Sequence, residues 1–133
     1  MKKLAYISGP ISGAGPHWAA PFMQAERYLR RQGWSVINPA TLGEHDLSYD
    51  GTGIPAVHVL RAFLERDFRY LTQCDALVLI PGWSNSRGAN AELVVSLMTN
   101  KTTYYFDPLT DDLSLIDPKP KREIVEFVVG GFE

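Results

Sequence analysis

Ala76-Leu77-Val78-Leu79-Ile80 is an unbroken apolar run set between Cys74-Asp75 and Pro81-Gly82. A strand with one face in water alternates apolar and polar residues. A continuous run of this length instead predicts a strand covered on both faces, the pattern of a parallel sheet sandwiched between helices. The flanking sequence agrees. Leu4-Ala5-Tyr6-Ile7 is a second short apolar run, stopped by Ser8-Gly9-Pro10. Between Trp18 and Gln32 the residues Phe22, Ala25, Tyr28 and Leu29 recur on one helix face, and Gly33 supplies a stop. Trp34-Ser35-Val36-Ile37 reads as a strand, and Ala40 to Pro55 as a long loop of the kind that often carries function. Val57 to Gln73 has the strongest helical periodicity, through Leu60, Phe63, Leu64, Phe68 and Leu71. Pro81 to Gly88 reads as a turn, Ala89 to Met98 as a helix and Thr102 to Phe106 as a strand. Asp107 to Pro120 looks irregular, and Lys121 to Val129 is expected to form a short terminal helix. Strands alternating with helices define an α/β fold with right-handed crossovers and helices on both faces of a four- to five-stranded parallel sheet.

The 133 residues are one domain's worth, with a core large enough to need no staple. A net charge of -2 argues against a dedicated nucleic-acid binder, because phosphate contacts dominate such affinity. The single cysteine, Cys74, excludes an intramolecular disulfide framework and a multi-cysteine metal site. His17, His45 and His58 have no metal-ligand spacing. No apolar run approaches membrane-spanning length, and the strand-like start has no signal-peptide core, so a cytoplasmic protein without a membrane partner is expected.

In open α/β sheets, ligands bind beyond the carboxyl ends of the strands. Three features fall at such an end or on the helix that follows one. The first is the loop Ser8-Gly9-Pro10-Ile11-Ser12-Gly13, whose glycines allow close approach of backbone N–H groups to a ligand, although a plain strand-to-helix turn explains them equally well. It matches neither phosphate-binding glycine fingerprint. The second is Asp67, which falls on the apolar stripe of its helix between Leu64 and Leu71. A carboxylate on that face is costly to bury unless it is paired, which makes it either a functional group or a stripe-edge residue paired with Arg66 or Arg69 in solvent. The third is Glu92 within Ser86-Arg87-Gly88-Ala89-Asn90-Ala91-Glu92. Near a helix N-terminus the dipole favours the ionised carboxylate, suited to a nucleophile or stabiliser in glycosidic cleavage, while a solvated helix acid is the commoner role for such a position. Ser84, Asn85 and Ser86 are natural N-cap residues. Trp18, Trp34, Tyr49 and Trp83 border the loops, where packing is the ordinary role and stacking on a base the alternative.

In this order, Tyr6-Ile7-Ser8-Gly9-Pro10-Ile11-Ser12-Gly13, Asp67 on a helix, Cys74-Asp75 leading into the apolar strand, and Ser86-x-Gly88-x-x-x-Glu92 together resemble the nucleoside 2-deoxyribosyltransferase superfamily. The likeness is closest to its small phage and bacterial DUF4406 branch, and extends to the deoxynucleoside 5′-monophosphate N-glycosidases. It covers residues 4–107 and leaves 108–133 as a C-terminal extension without counterpart. The resemblance implies a flavodoxin-like, Rossmann-like three-layer fold, assembly as a homodimer or higher oligomer, a nucleoside or nucleotide as the small-molecule partner, and no cofactor. It implies Glu92 as the nucleophile at C1′, Asp67 as the carboxyl group that binds the sugar or assists the leaving base, and Tyr6 as a ring beside them. Gly9, Ile11 and Gly13 would form the loop wall, with Ser8, Pro10 and Ser12 in the same loop, and Ser86 and Gly88 would meet the 5′ side of the sugar. Where the monophosphate hydrolases carry an arginine in the first loop, this chain has Ser12, and Arg87 is the nearby alternative cation.

The expected activity is cleavage of an N-glycosidic bond by hydrolysis or base exchange. A non-catalytic nucleotide-binding module of the same fold is the alternative from another class, and cleavage of a larger nucleotide of the NAD type is a third. The Asp67/Glu92 pair favours an enzyme, since a sensor has no need of two costly carboxylates.

Overall fold

The computed structural model describes residues 3–11, 14–41, 65–122 and 124–125. Four strands run parallel: β1 (Leu4–Ser8), β2 (Ser35–Ile37), β3 (Ala76–Leu79) and β4 (Thr102–Asp107). A fifth, β5 (Asp112–Leu115), closes the edge antiparallel to β4, and the sheet order is β2-β1-β3-β4-β5. Helix α1 (Ala19–Arg31) crosses one face. Helix α2, described over residues 65–71, and helix α3 (Arg87–Met98) lie on the other.

Alternation along each strand sorts the core into two halves. Ala5 and Ile7 of β1, Val78 of β3 and Phe106 of β4 meet Phe22, Ala25 and Leu29 of α1. Tyr6, Leu77 and Leu79 point the other way, towards Leu71 of α2 and Leu93 of α3. All four residues of β3 are buried, as its unbroken apolar run requires. The result is the three-layer, flavodoxin-like arrangement expected from the order of elements.

Local chemistry sets the element ends. Gly33, at φ 93°, takes the left-handed conformation after α1, and the Trp34 N–H reaches back to the Leu29 carbonyl at 3.0 Å, closing the helix. Helix α3 starts two residues earlier than its periodicity predicts. Ser86 is its N-cap, accepting the Ala89 N–H at 3.1 Å, and a short 3₁₀ turn (Trp83–Asn85) precedes it.

The segment 107–120 departs from the irregular structure expected of it. Asp107 Oδ1 accepts the Leu109 N–H at 2.9 Å, and Asp111 at φ 49° turns the chain back, so that Asp112–Leu115 pairs with β4. Asp112-Leu113-Ser114-Leu115 does alternate, but over only four residues and with Leu115 exposed, so the pattern is too short to stand out from a polar loop. In the expected terminal helix, residues 122, 124 and 125 are helical, and Ile124 is buried against Ala91 and Val94 of α3. The remainder of that helix, the first part of the helix expected over 57–73 and the loop expected from 40 to 55, apart from 40–41, lie outside the described residues. Among the described residues no helix is long and apolar enough to cross a membrane.

The order of the strands places a topological switch between β1 and β3, where the chain leaves the two neighbouring strands in opposite directions. There the two carboxyl ends are in close contact. A Cβ built on Gly9 would lie 2.2 Å from Cγ1 of Ile80, so any side chain at this position forces the Ile80 side chain to shift. Gly9→Ala is expected to cost about 1–3 kcal/mol through overpacking. The midpoint of urea unfolding would fall with the m-value unchanged; an unaltered midpoint would mean that the Ile80 side chain gives way at no cost.

Candidate active site

Tyr6 and Ser8 are two residues apart on β1 and therefore share the face turned towards α2 and α3. Both are fully buried. Glu92 enters from the second turn of α3 and is only 5% exposed. The Ser8 hydroxyl donates to Glu92 Oε1 at 2.7 Å, and the Tyr6 hydroxyl donates to Glu92 Oε2. Asp67 projects from α2 into the same region, also 5% exposed. Arg66 grips it through Nε at 3.1 Å and Nη2 at 3.0 Å, both to Oδ1. Asp67 is near enough to the Tyr6 ring for its charge to help raise the tyrosine's pKa. Tyr6 and the two buried carboxyl groups thus interact electrostatically.

Burial dominates the electrostatics. Glu92 is pushed up to about 8, chiefly by desolvation and then by the neighbouring Asp67 charge, against the opposing hydrogen bonds from Tyr6 and Ser8 and the field of Arg66. Asp67 rises to about 6 by desolvation, restrained by Arg66 and Tyr6. The Tyr6 hydroxyl is held well above its usual value by burial and by both carboxylates. These shifts overturn the expectation that the helix dipole keeps Glu92 ionised. The dipole acts within the first turn, and Glu92 lies beyond it in a dry site beside a second acid. They also overturn the view of Glu92 as a solvated helix acid. Asp67 combines the two readings of its stripe position, being paired with Arg66 yet buried. Burial and the neighbouring Asp67 charge thus favour the protonated form of Glu92, while Arg66 favours the charged form of Asp67.

The remaining candidate residues fall around this centre. Gly9 is buried where β1 meets the end of β3, and half-buried Pro10 lies against Gly82. Ile11 packs instead against the core on the α1 side of the sheet, the face opposite Glu92. Ser12 and Gly13 lie outside the described residues. Ser86 uses its hydroxyl as the α3 cap, and Arg87 is exposed at the first residue of that helix. Gly88 precedes Glu92 by one helical turn; a Cβ there would meet only Ser86 Oγ, at 3.9 Å, so packing does not account for the missing side chain. Trp18 and Phe22 pack edge to face, as do Trp34 and Tyr104, while Trp83 joins the α2/α3 side of the core. Tyr49, His45 and His58 lie outside the described residues, and His17 is exposed before α1. Cys74 is buried, with its thiol pushed up to about 11 by desolvation. Among the described residues no group of three or more His, Cys, Asp or Glu is placed to hold a metal ion.

Two contributors lie outside the set read from sequence. Arg66 entered only as one of two alternative partners for Asp67. Asn90 is the second, an amide inside the run Ala89-Asn90-Ala91 that the fold buries. Its Nδ2 donates to the carbonyls of Trp83, Ser84 and Ser86 at 3.2, 3.1 and 2.8 Å, and its Oδ1 accepts the Lys121 N–H at 2.9 Å. Asn90 therefore fixes the turn that begins α3 and ties it to the C-terminal segment.

Residues 3–105 match the family model described as Domain of unknown function (DUF4406). The chain belongs to that family. The DUF4406 match spans β1 to β4 and includes Tyr6, Ser8, Arg66, Asp67 and Glu92, whereas β5 and the segment that packs Ile124 against α3 lie beyond it. No curated protein matches the chain.

A buried acid with a raised pKa makes stability depend on pH in a definite direction. Between the ordinary value of 4.5 and about 8, the folded state keeps the Glu92 proton that the unfolded state has released, so stability falls as pH rises through that window. Asp67 acts in the same sense between 3.8 and about 6. Glu92→Gln removes the larger contribution. At pH 8 the variant should exceed the wild type by on the order of 3 kcal/mol, with the difference shrinking towards pH 5. Thermal unfolding of both proteins across this range checks the expectation, and parallel Tm curves would refute it.

Proposed function

We propose that this DUF4406 protein cleaves the N-glycosidic bond of a nucleoside or nucleoside 5′-monophosphate, by hydrolysis or by base exchange, with Glu92 as the nucleophile. The observation that carries this reading is the buried carboxyl pair Asp67/Glu92 at the β1/β3 switch point, with Glu92 gripped through both oxygens by Ser8 and Tyr6. Family membership is compatible with the deoxyribosyltransferase-like superfamily that the motifs resemble.

The chemistry asks for two acids with different tasks. An oxocarbenium-like transition state at C1′ needs an anion on the face opposite the departing base, and the base needs a proton as it leaves. In the proposed reaction Glu92 attacks C1′ and forms a covalent glycosyl-enzyme, and Asp67 protonates the base. Water or a second base then releases the sugar. Ser8 holds the attacking carboxylate in one orientation, which lowers the cost of reaching the reactive geometry. Space above Gly88 and the cap at Ser86 lie on the side proposed for the 5′ end of the sugar, with Arg87 as a nearby cation. The reaction calls for no metal or cofactor, and we propose that it takes place in the cytoplasm, in a homodimer or higher oligomer.

Base release from a panel of ribo- and deoxyribonucleosides and their 5′-monophosphates, followed by chromatography, tests the proposal. Release by the wild type should fall by roughly three orders of magnitude or more in Glu92→Ala. Dependence of the products on an added base separates exchange from hydrolysis. Release that persists undiminished in the variant removes Glu92 from the reaction. Silence across the panel from a folded wild type favours the non-catalytic binding module.

A further inference from the structure

Glu92 can serve as a nucleophile only while the helical turn that bears it stays in register with β1, where the Ser8 hydroxyl lies 2.7 Å from Oε1 and the Tyr6 hydroxyl donates to Oε2. Apolar packing does not fix that register by itself. Residues Ala89 to Val94 are all buried, so this part of α3 is enclosed on every side. Its apolar contacts are nevertheless non-directional and permit a small slide or rotation. Between Gly88 and Val94, the side chains of Asn90 and Glu92 alone can form hydrogen bonds. We infer that Asn90 is a positioning residue for Glu92, and that through it the C-terminal segment at Lys121 helps to hold the nucleophile in place. The effect on rate rests on the proposed glycosidic cleavage, whereas the positioning itself is read from stability.

Asn90 and Glu92 are two positions apart and project from nearly opposite sides of α3. Asn90 therefore acts through the helix and not on the reacting atoms. Its side chain is 1% exposed, and both ends bond backbone. Nδ2 donates to the carbonyls of Ser86 at 2.8 Å, Ser84 at 3.1 Å and Trp83 at 3.2 Å, all in the turn that leads from β3 into α3. Oδ1 accepts the Lys121 N–H at 2.9 Å, from 31 positions away in the chain. Hydrogen bonds are directional, so these contacts fix one side of the helix against the turn and against Lys121. The bonds from Ser8 and Tyr6 to Glu92 fix the other side. Ile124, three residues beyond Lys121, is buried against Ala91 and Val94, which adds an apolar contact to the polar one.

Without the Asn90 amide, three carbonyls of the turn lose a shared donor and the Lys121 N–H loses its acceptor. The Ser86 cap and apolar packing are then left to hold the start of α3. A displacement of about 1 Å at a reacting group, caused from a distance, is enough to lower a rate by roughly 100-fold. The walls of the site stay as they are, so the loss should fall on kcat and not on KM.

Two measurements on the full chain test the inference. Asn90 and Ser8 share no hydrogen-bonding partner, so their substitutions should have additive effects if Asn90 does no more than stabilise α3. If Asn90 positions Glu92, Ser8→Ala should shift the midpoint of urea unfolding less than half as far in an Asn90→Ala background as in the wild type. In base release, Asn90→Ala shown by circular dichroism to be folded should have kcat lowered by roughly 100-fold, with KM within about threefold of wild type. Lys121→Pro removes the N–H given to Asn90 Oδ1 and otherwise an exposed side chain. It should lower kcat by roughly tenfold, and replaces Asn90→Ala in both measurements if that variant does not fold. Additive midpoints overturn the inference, as does an unchanged kcat in the folded variant, and in either case the glycosidic reading stands. A wild type silent across the panel overturns the glycosidic reading, and the midpoints alone then decide whether Asn90 positions Glu92.

Discussion

Removing two carboxyl groups from water at one point in the fold is the constraint on which the rest of the site depends. Each desolvated carboxylate is unfavourable alone, and two neighbours of like charge are worse, so the surrounding structure has to compensate. Arg66 offsets the charge of Asp67, Ser8 and Tyr6 satisfy Glu92, and the site keeps one proton rather than none. Groups arranged in this way are expensive for folding and suited to proton transfer and nucleophilic attack, the usual mark of a functional centre.

The three-layer fold makes that concentration affordable by spreading the work over separate elements. Strand β1 contributes Tyr6 and Ser8 through simple alternation, while α2 and α3 each contribute one acid from the same side of the sheet. Precision comes from the anchors of α3. Ser86 caps it, Asn90 fastens the preceding 3₁₀ turn, and Ile124 packs from the C-terminal segment onto Ala91 and Val94 on either side of the helical turn that bears Glu92. That segment lies outside residues 3–105 matched by the family model.

Much of this was legible in the order of residues, and the part that was not has a physical reason. The unbroken run at Ala76–Ile80 dictates a strand buried on both faces, and Gly33 dictates the end of α1, because both signals are local. Asp67 was legible as an anomaly, since a carboxylate inside an apolar stripe has few roles open to it. Strand β5 was not, because its alternation of Leu113 and Leu115 with polar residues spans only four positions inside a polar, Pro-flanked stretch. Asn90 was visible as a polar residue in a run of small apolar ones, but its three carbonyl partners belong to a turn whose shape the sequence does not display.

Sequence alone therefore determined the alternation of strands and helices, the parallel core of the sheet and the placement of Tyr6, Ser8, Asp67 and Glu92 at or near the ends where α/β sheets bind ligands. Tertiary structure alone decided their chemical state. Tyr6 and Glu92 are 86 residues apart in the chain, and Ser8 and Glu92 are 84 apart. Periodicity reports which way a side chain faces within its own element. Whether a carboxyl group holds its proton depends on the water excluded and the charges brought near by distant elements, and those exist only once the sheet and its helices have closed around it.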